Sequence, residues 1–388
     1  MITRKAAVNN FNDALKLVKN TGCSAVVYES LAKKGILEPI SIEKIDNRAA
    51  NILKQEAISV GADVALSEDI GRFKRGFSDV ALFATISQLG KLADKLSFQP
   101  FGLKQLAGDF KKIISKRKIF RYKNKSLDLT NPIVMGIVNM DPNSFSGDGL
   151  TGHDKALEQA VEFERLGAGI IDIGAESSRP GVKLVDVKTE IKRLLPALKR
   201  IRRHVKIPIS IDTYKYETAK VALSEGADII NDIFSLRKGK DKLAKLVADA
   251  KAGLILMHMK GLPKNMQIEP KYKNCTSEVY EFLSERKSYA MEFGIQEEYI
   301  AVDPGPGFGK TVKHNMELVK NMSVFSTLGA VVGAVSRKRF VRSLAGEDKT
   351  SFITANFLTA FCGADIVRVH DVKETVNVFE IIETFRGI

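Results

Sequence analysis

A chain of 388 residues in which 44% of positions are hydrophobic is long enough to bury more than one core. No apolar run reaches membrane-spanning length, and three widely spaced cysteines, Cys23, Cys275 and Cys362, argue against both a disulfide framework and a four-cysteine zinc site. The net charge of +14 is concentrated at the front, where residues 1–125 carry 23 Lys/Arg against 12 Asp/Glu while residues 126–388 carry 37 against 34.

The opening MITRKAAVNNFNDAL has no continuous apolar region, so a cytoplasmic protein without membrane association is expected. In FNDALKLVKN and NRAANILKQEAIS the apolar residues recur at helical spacing, GCSAVVYESL and DVALFATISQLG contain short apolar runs, and FGLKQLAGDFKKIISK reads as an amphipathic helix. Residues 1–125 are therefore expected to form a small mixed α/β accessory domain with a basic linker, and nothing in them carries a chemical signature. The densest basic run, KKIISKRKIFRYKNK (111–125), could contact RNA. With little aromatic interleaving and no RNA-binding motif, it reads instead as a solvated helix and linker, and no nucleic-acid partner is expected.

From residue 126 the pattern changes. Strand-like runs at 133–138, 170–174, 207–211, 228–231, 253–257, 300–302, 331–335 and 365–369 alternate with helical segments such as DKALEQAVEFERLGA, KTEIKRLLPALKRIRRH and TSEVYEFLSERKSYAMEFG. Eight strand–helix units over 126–388 predict a (β/α)8 TIM barrel. A doubly wound sheet does not need eight such repeats, and no strand is followed by a dinucleotide fingerprint.

The strands end in polar residues. Asn139 follows the first; Glu176, Ser177, Ser178 and Arg179 the second; Asp212 the third. Asn231 and Asp232 finish the fourth, His258 follows the fifth, and Asp303 ends the sixth. Ser336, Arg337 and Lys338 follow the seventh, and Arg368 and His370 close the eighth. One such residue is most simply a loop hydrogen bond, but eight strand ends converging on the face where this fold carries its active sites predict one site. Asp212, Asn231 and Asp303 can exchange hydrogen bonds with an amidine-like heterocycle, and Lys338 can donate to its carbonyl or ring nitrogen. Asn139, Arg368 and His370 suit a phosphate group, with Mg²⁺ as a possible companion; Arg368 and His370, two apart, can leave the same face of a strand.

Other chemistries fit less well. PGPGFGKT imitates a phosphate loop, but Pro304 stands where its first glycine belongs. The five histidines form no H-E-x-x-H pair, so a zinc hydrolase is not indicated. His258 in LILMHMKG is as well explained by a structural hydrogen bond, and His204 by a helix end.

The blocks MGIVNMDPNSFSGDG (135–149), DIGAESSRPG (172–181), PISIDTYKYETAK (208–220), GADIINDI (226–233), LMHMKGLPKNMQ (256–267), DPGPGFGKTVKHN (303–315), VVGAVSRKRF (331–340) and RVHDVKET (368–375) together resemble the dihydropteroate synthase family, in its order. The resemblance implies condensation of 6-hydroxymethyl-7,8-dihydropterin diphosphate with 4-aminobenzoate. It implies that Asp212, Asn231, Asp303 and Lys338 hold the pterin with Met259 lining it, that Asn139 contacts Mg²⁺ and diphosphate, and that Arg179, Arg368 and His370 bind the anion. Ser178, Pro180, Phe308 and Ser336 would form the aminobenzoate side, and a homodimer is expected. The chain departs from the family pattern in its first loop, with Asp141 for Thr, Asn143 for Asp and the later acid displaced to Asp148, and it has Pro306 where Phe is common. Two alternatives remain from the residues alone: a noncatalytic pterin-binding or regulatory protein, and a methyltetrahydrofolate-binding methyltransferase.

Overall fold

The computed structural model describes the chain except for residues 1, 2, 4, 5, 7, 9, 73, 116–118, 141–151, 177–184, 263, 264 and 388. It divides into two compact units, Met1–Lys116 and Arg117–Ile388.

The first unit is a mixed α/β body. Strands β1 (Leu37–Asp46), β2 (Asp63–Ala65) and β3 (Phe77–Thr85) form an antiparallel sheet in the order β1-β3-β2. Helices α1 (Phe11–Lys19), α2 (Tyr28–Ala32), α3 (Asn47–Ser59), α4 (Glu68–Gly71), α5 (Ile86–Leu96) and α6 (Leu103–Ile114) accompany it. Leu53, Leu82, Leu89, Leu92 and Phe110 are fully buried in one core. The sheet passes straight into α5 because Thr85 and Gln88 form a reciprocal cap that satisfies the first helical N–H groups.

The second unit begins with a hairpin, β4 (Ile119–Tyr122) and β5 (Lys125–Asp128). Eight parallel strands follow: β6 (Ile133–Asn139), β7 (Ile170–Gly174), β8 (Ile209–Asp212), β9 (Ile229–Asp232), β10 (Gly253–Met257), β11 (Ile300–Asp303), β12 (Ala330–Gly333) and β13 (Ile366–Val369). They close into a barrel through the pairing of β13 with β6. The helices are α7 (Gly152–Arg165), α8 (Val187–His204), α9 (Tyr216–Ser224), α10 (Lys240–Asp249), α11 (Cys275–Glu292), α12 (Val312–Lys320), α13 (Arg339–Ala345), α14 (Lys349–Phe361) and α15 (Val372–Gly387). The predicted (β/α)8 barrel, preceded in the sequence by a smaller mixed α/β domain, is the observed fold.

Strand side chains alternate between the two faces of the barrel wall, and this alternation builds both core and site. Val134, Ile171, Ile209, Ile230, Leu254, Val302, Val331 and Val367 join the layer shared with the helices. Their neighbours Met135, Ile170, Ile229, Ile255, Ala301, Val332 and Ile366 pack with Phe120, Tyr122 and Leu129, so the hairpin closes the amino-terminal end of the barrel. Half of the basic run 111–125 is thus not a solvated linker: Phe120 is fully buried, and the Lys123 ammonium lies 2.9 Å from the Asp228 carboxylate. Gly253 permits this, since a Cβ there would stand 2.8 Å from Phe120 Cζ. Phe120→Ala is expected to cost about 3–5 kcal/mol of stability, read from denaturant unfolding; an unchanged midpoint would show that the hairpin is dispensable to the barrel.

Candidate active site

Toward the carboxyl ends of the strands the inward positions become polar. In the middle of the barrel β7 contributes Asp172, β8 contributes Ser210 and β13 contributes Arg368. One step further out lie Asn139, Gly174, Asp212 and Asn231, which follow one another in register around β6, β7, β8 and β9. Gly174 lies between the Asn139 and Asp212 side chains, where a Cβ would make ordinary contact with Asp212 Cβ at 3.5 Å and Asn139 Oδ1 at 3.8 Å. Asp303 ends β11.

Arg368 is the hub. Its Nε donates to Asp172 Oδ2 at 2.6 Å and its Nη2 to Asp212 Oδ2 at 2.9 Å. Two carboxyl groups share one guanidinium, and burial raises the Asp212 carboxyl to about 7, Arg368 opposing and Asp172 reinforcing the shift. Asp172 is fully buried, and its second oxygen and the Ser210 hydroxyl, on paired positions of adjacent strands, make no hydrogen bond among the described residues.

Asn231 is 5% exposed, and its amide makes no side-chain hydrogen bond among the described residues, which leaves a donor and an acceptor for a ligand. Burial raises Asp303, with Lys338 opposing; Oδ1 accepts from Gly305 N at 2.7 Å. Burial in turn brings the Lys338 ammonium down to about 8, with Asp303 holding the proton on. Lys338 Nζ donates to Pro306 O at 2.5 Å and sits 4.5 Å from the centre of the Phe308 ring. Phe308 packs with Met259, Met257, Met266, Ile233 and Phe234, forming an apolar wall beside the polar layer. Ser336 Oγ lies 3.2 Å from His370 Nδ1, so the ends of β12 and β13 meet.

The structure therefore gathers Asn139, Asp212, Asn231, Asp303, Lys338 and Arg368, with Met259 and Phe308 on one side and Ser336 and His370 adjoining. Ser178, Arg179 and Pro180 lie outside the described residues, as do Asp141, Asn143 and Asp148. Other strand-end residues hold loops. Asp232 accepts from the backbone N–H groups of Phe234 and Leu236, both at 2.7 Å. Glu176 accepts from Val185 N at 2.8 Å and from Lys215 Nζ at 2.7 Å. His258 Nδ1 meets Lys310 Nζ at 2.9 Å, a structural partnership.

Asp172 and Lys310 were not anticipated. Asp172 was legible as the one charged residue in the strand run IIDIG, at an inward position two before Gly174. Lys310 is 3% exposed, and its Nζ donates to Gly305 O and Phe308 O and meets His258 Nδ1, which holds the loop after β11 and ties up the amine a phosphate would use. Burial lowers its ammonium to about 7.

Residues 135–370 match the family model for pterin binding enzymes. The dihydropteroate synthase of Escherichia coli (strain K12) is 40% identical over 270 residues, covering 66% of this chain and 93% of the relative. A bifunctional dihydropteroate synthase/dihydropteroate reductase of Helicobacter pylori is 32% identical over 382 residues, covering 96% of this chain and 97% of the relative. The solved structure of Xanthomonas albilineans dihydropteroate synthase with 4-aminobenzoic acid superposes with a TM-score of 0.66 at 33% identity, over 70% of this chain and all of that one. With a family model that covers more than half of the chain, and a relative 32% identical along nearly all of it, the chain belongs to the dihydropteroate synthase family of pterin-binding enzymes.

Proposed function

We propose that the barrel condenses 6-hydroxymethyl-7,8-dihydropterin diphosphate with 4-aminobenzoate to give 7,8-dihydropteroate and diphosphate, and that the first compact unit, Met1–Lys116, is an accessory region. The observation that carries this reading is the convergence of Asn139, Asp212, Asn231, Asp303, Lys338 and Arg368 on one buried polar layer beside the Met259–Phe308 wall. A flat, nitrogen-rich ring needs such matched donors and acceptors. Asp212 and Asp303 accept from ring and amino N–H groups, Asn231 does both, and Lys338 donates to the carbonyl oxygen or a ring nitrogen.

In the reaction the bond between the methylene carbon and the diphosphate oxygen breaks, and one forms from that carbon to the arylamine nitrogen, which then loses a proton. Arg368 and His370 hold the departing anion, with Arg179 as a further contributor, and stabilise charge as it develops. Asp212 and Asp303 sit where positive character grows on the pterin and favour it electrostatically. A neutral arylamine needs no strong base, so these carboxylates hold and polarise more than they transfer protons. Phe308, at the seam between the apolar wall and Lys338, supplies the face against which the aminobenzoate ring lies, with Ser178, Pro180 and Ser336 completing that side.

Asn139 suits Mg²⁺: its carboxamide offers one hard, neutral oxygen beside the Asp212 layer, and Mg²⁺ commonly completes its shell with water and substrate phosphate oxygens. Bound there with substrate, the ion would neutralise charge on the leaving diphosphate.

Purified protein given both substrates and Mg²⁺, with each omitted in turn, is expected to form dihydropteroate only in the complete mixture. Binding of the pterin diphosphate without condensation would instead support the noncatalytic reading.

The whole-chain alignment with the Helicobacter relative favours one second reading, reduction of the product dihydropteroate, since that relative's second named activity is dihydropteroate reductase. Oxidation of a nicotinamide donor by the full chain, dependent on dihydropteroate, tests it; no oxidation above background sinks it.

A cytoplasmic homodimer is part of the same proposal. No helix among the described residues is long and apolar enough to cross a membrane. Val324, Leu358, Phe361 and Ile381 expose apolar surface on the segment after α12 and on α14 and α15. Phe361→Glu is expected to shift the sedimenting species from dimer to monomer.

A further inference from the structure

A cavity of about 280 Å³ opens between the loop after β10 and the first half of α11, walled by Arg237, His258, Lys260, Tyr272, Glu278 and Phe282. Of its wall residues only Met259 belongs to the substrate set. Side-chain alternation separates the two: Met257 and Met259 join the apolar wall of the active site, while the His258 ring packs edge-on against Phe282 of α11, with centroids 4.9 Å apart.

The chemistry of the walls selects an anion. Arg237 donates through Nε to Phe234 O and through Nη2 to Met259 O, leaving Nη1 for a ligand. The Lys260 ammonium donates to Lys271 O and lies 4.0 Å from the centre of the Tyr272 ring. Lys310 Nζ donates to Gly305 O and Phe308 O and lies 2.9 Å from His258 Nδ1, and burial keeps the His258 ring neutral. The single carboxylate, Glu278, is already engaged: Oε1 accepts from Lys273 N and Asn274 N, and Oε2 lies 3.5 Å from Lys260. Arg237 and Lys260 against the one carboxylate leave the wall with a net positive charge facing a space bounded by Tyr272 and Phe282. The volume suits a single ring, below the roughly 300–1,000 Å³ of ordinary drug-sized pockets.

The cavity is also joined to the substrate loop 303–310. Tyr272 Oη donates to Gly309 O at 2.9 Å, and Lys310 ties His258 to the carbonyls of Gly305 and Phe308. The two loops are in such close contact that a Cβ on Gly305 would stand 2.0 Å from His258 O and one on Gly309 2.4 Å from Lys260 O. A ligand pulling on His258, Lys260 or Tyr272 acts on the loop that carries Asp303 and Phe308.

We propose that this cavity is a second ligand site for a small aromatic carboxylate, and that its occupancy changes the affinity of the barrel for its pterin substrate. The binding half stands apart from the proposed reaction, whereas the coupling half rests on it. The probe is 4-bromobenzoate, soaked into crystals of the full chain and located by the anomalous signal of bromine. A peak between Tyr272 and Phe282, lost in Arg237→Met and in Lys260→Met, is the expected result. Bromine only at the barrel mouth, or a cavity peak unchanged in both variants, overturns the site.

For the coupling, the affinity for pterin diphosphate is measured by calorimetry with and without saturating 4-bromobenzoate. A shift of threefold or more in the parent chain that shrinks in both folded variants is expected. An equal shift in parent and variants would place the effect at the barrel mouth and overturn the coupling. Absence of pterin binding under any condition would instead count against the proposed function, leaving the crystallographic result to decide the site.

Discussion

Arg368→Met is expected to remove turnover by a factor of at least about 10² and to destabilise the chain by roughly 3–5 kcal/mol. Both effects follow from its place between two carboxylates, with Nε on Asp172 at 2.6 Å and Nη2 on Asp212 at 2.9 Å. Without the guanidinium, two acids remain inside the barrel with no cation between them, and the anion-binding end of the site loses its most deeply held donor. The two losses separate genetically. Adding Asp172→Asn to Arg368→Met removes one stranded charge and is expected to return part of the stability and none of the turnover. Urea unfolding beside a product assay checks this; a double variant that recovers activity would show that Arg368 acts only by neutralising Asp172.

Asp212→Asn is expected to weaken pterin diphosphate binding by roughly 10–100-fold, the range for a hydrogen bond to a charged group, while making the protein more stable at pH 8. The sign follows from the raised carboxyl, which burial brings to about 7. The folded chain keeps a proton there that the unfolded chain releases in the ordinary carboxylate range. The stability this proton contributes is complete below that range and is lost as pH rises through about 7. The amide carries no such charge, so the variant escapes that loss. Ligand binding runs the other way: the ionised acid is the better acceptor, so parental affinity falls as pH drops below about 7, and the variant's affinity does not follow. Parallel thermal unfolding and calorimetry from pH 5.5 to 8.5 read both slopes. Identical pH profiles for parent and variant would remove Asp212 from the pterin set.

Much of this site was legible because a barrel converts chain order into position. Once eight apolar runs alternate with helices, the residue after each run is assigned to one end of the molecule, and Asn139, Asp212, Asn231, Asp303 and Arg368 follow from strand ends alone. Asp172 escaped because attention to strand ends passes over a charge inside a strand; the two-residue period that turns it inward was available in IIDIG. Strand β1 escaped for the opposite reason: its Ile40 and Ile42 alternate with exposed Ser41 and Glu43, too few apolar residues in a row to stand out beside the helices. The hairpin 119–128 was hidden by its charge, since the basic residues of KKIISKRKIFRYKNK obscure Phe120 and Tyr122, which only the open end of a barrel gives a reason to bury. Lys310 sits inside the phosphate-loop imitation, and only its three hydrogen-bond partners reveal what it holds.

The most direct test uses pterin diphosphate labelled with ¹⁸O at the oxygen bridging the methylene carbon and phosphorus, incubated with the full chain, 4-aminobenzoate and Mg²⁺. The strand-end cluster is built to take away an intact diphosphate. Dihydropteroate should therefore appear in equal amount with diphosphate that retains the whole label. Label left on a pterin alcohol, with no dihydropteroate formed, would mean that the barrel hydrolyses phosphate and does not join the two rings.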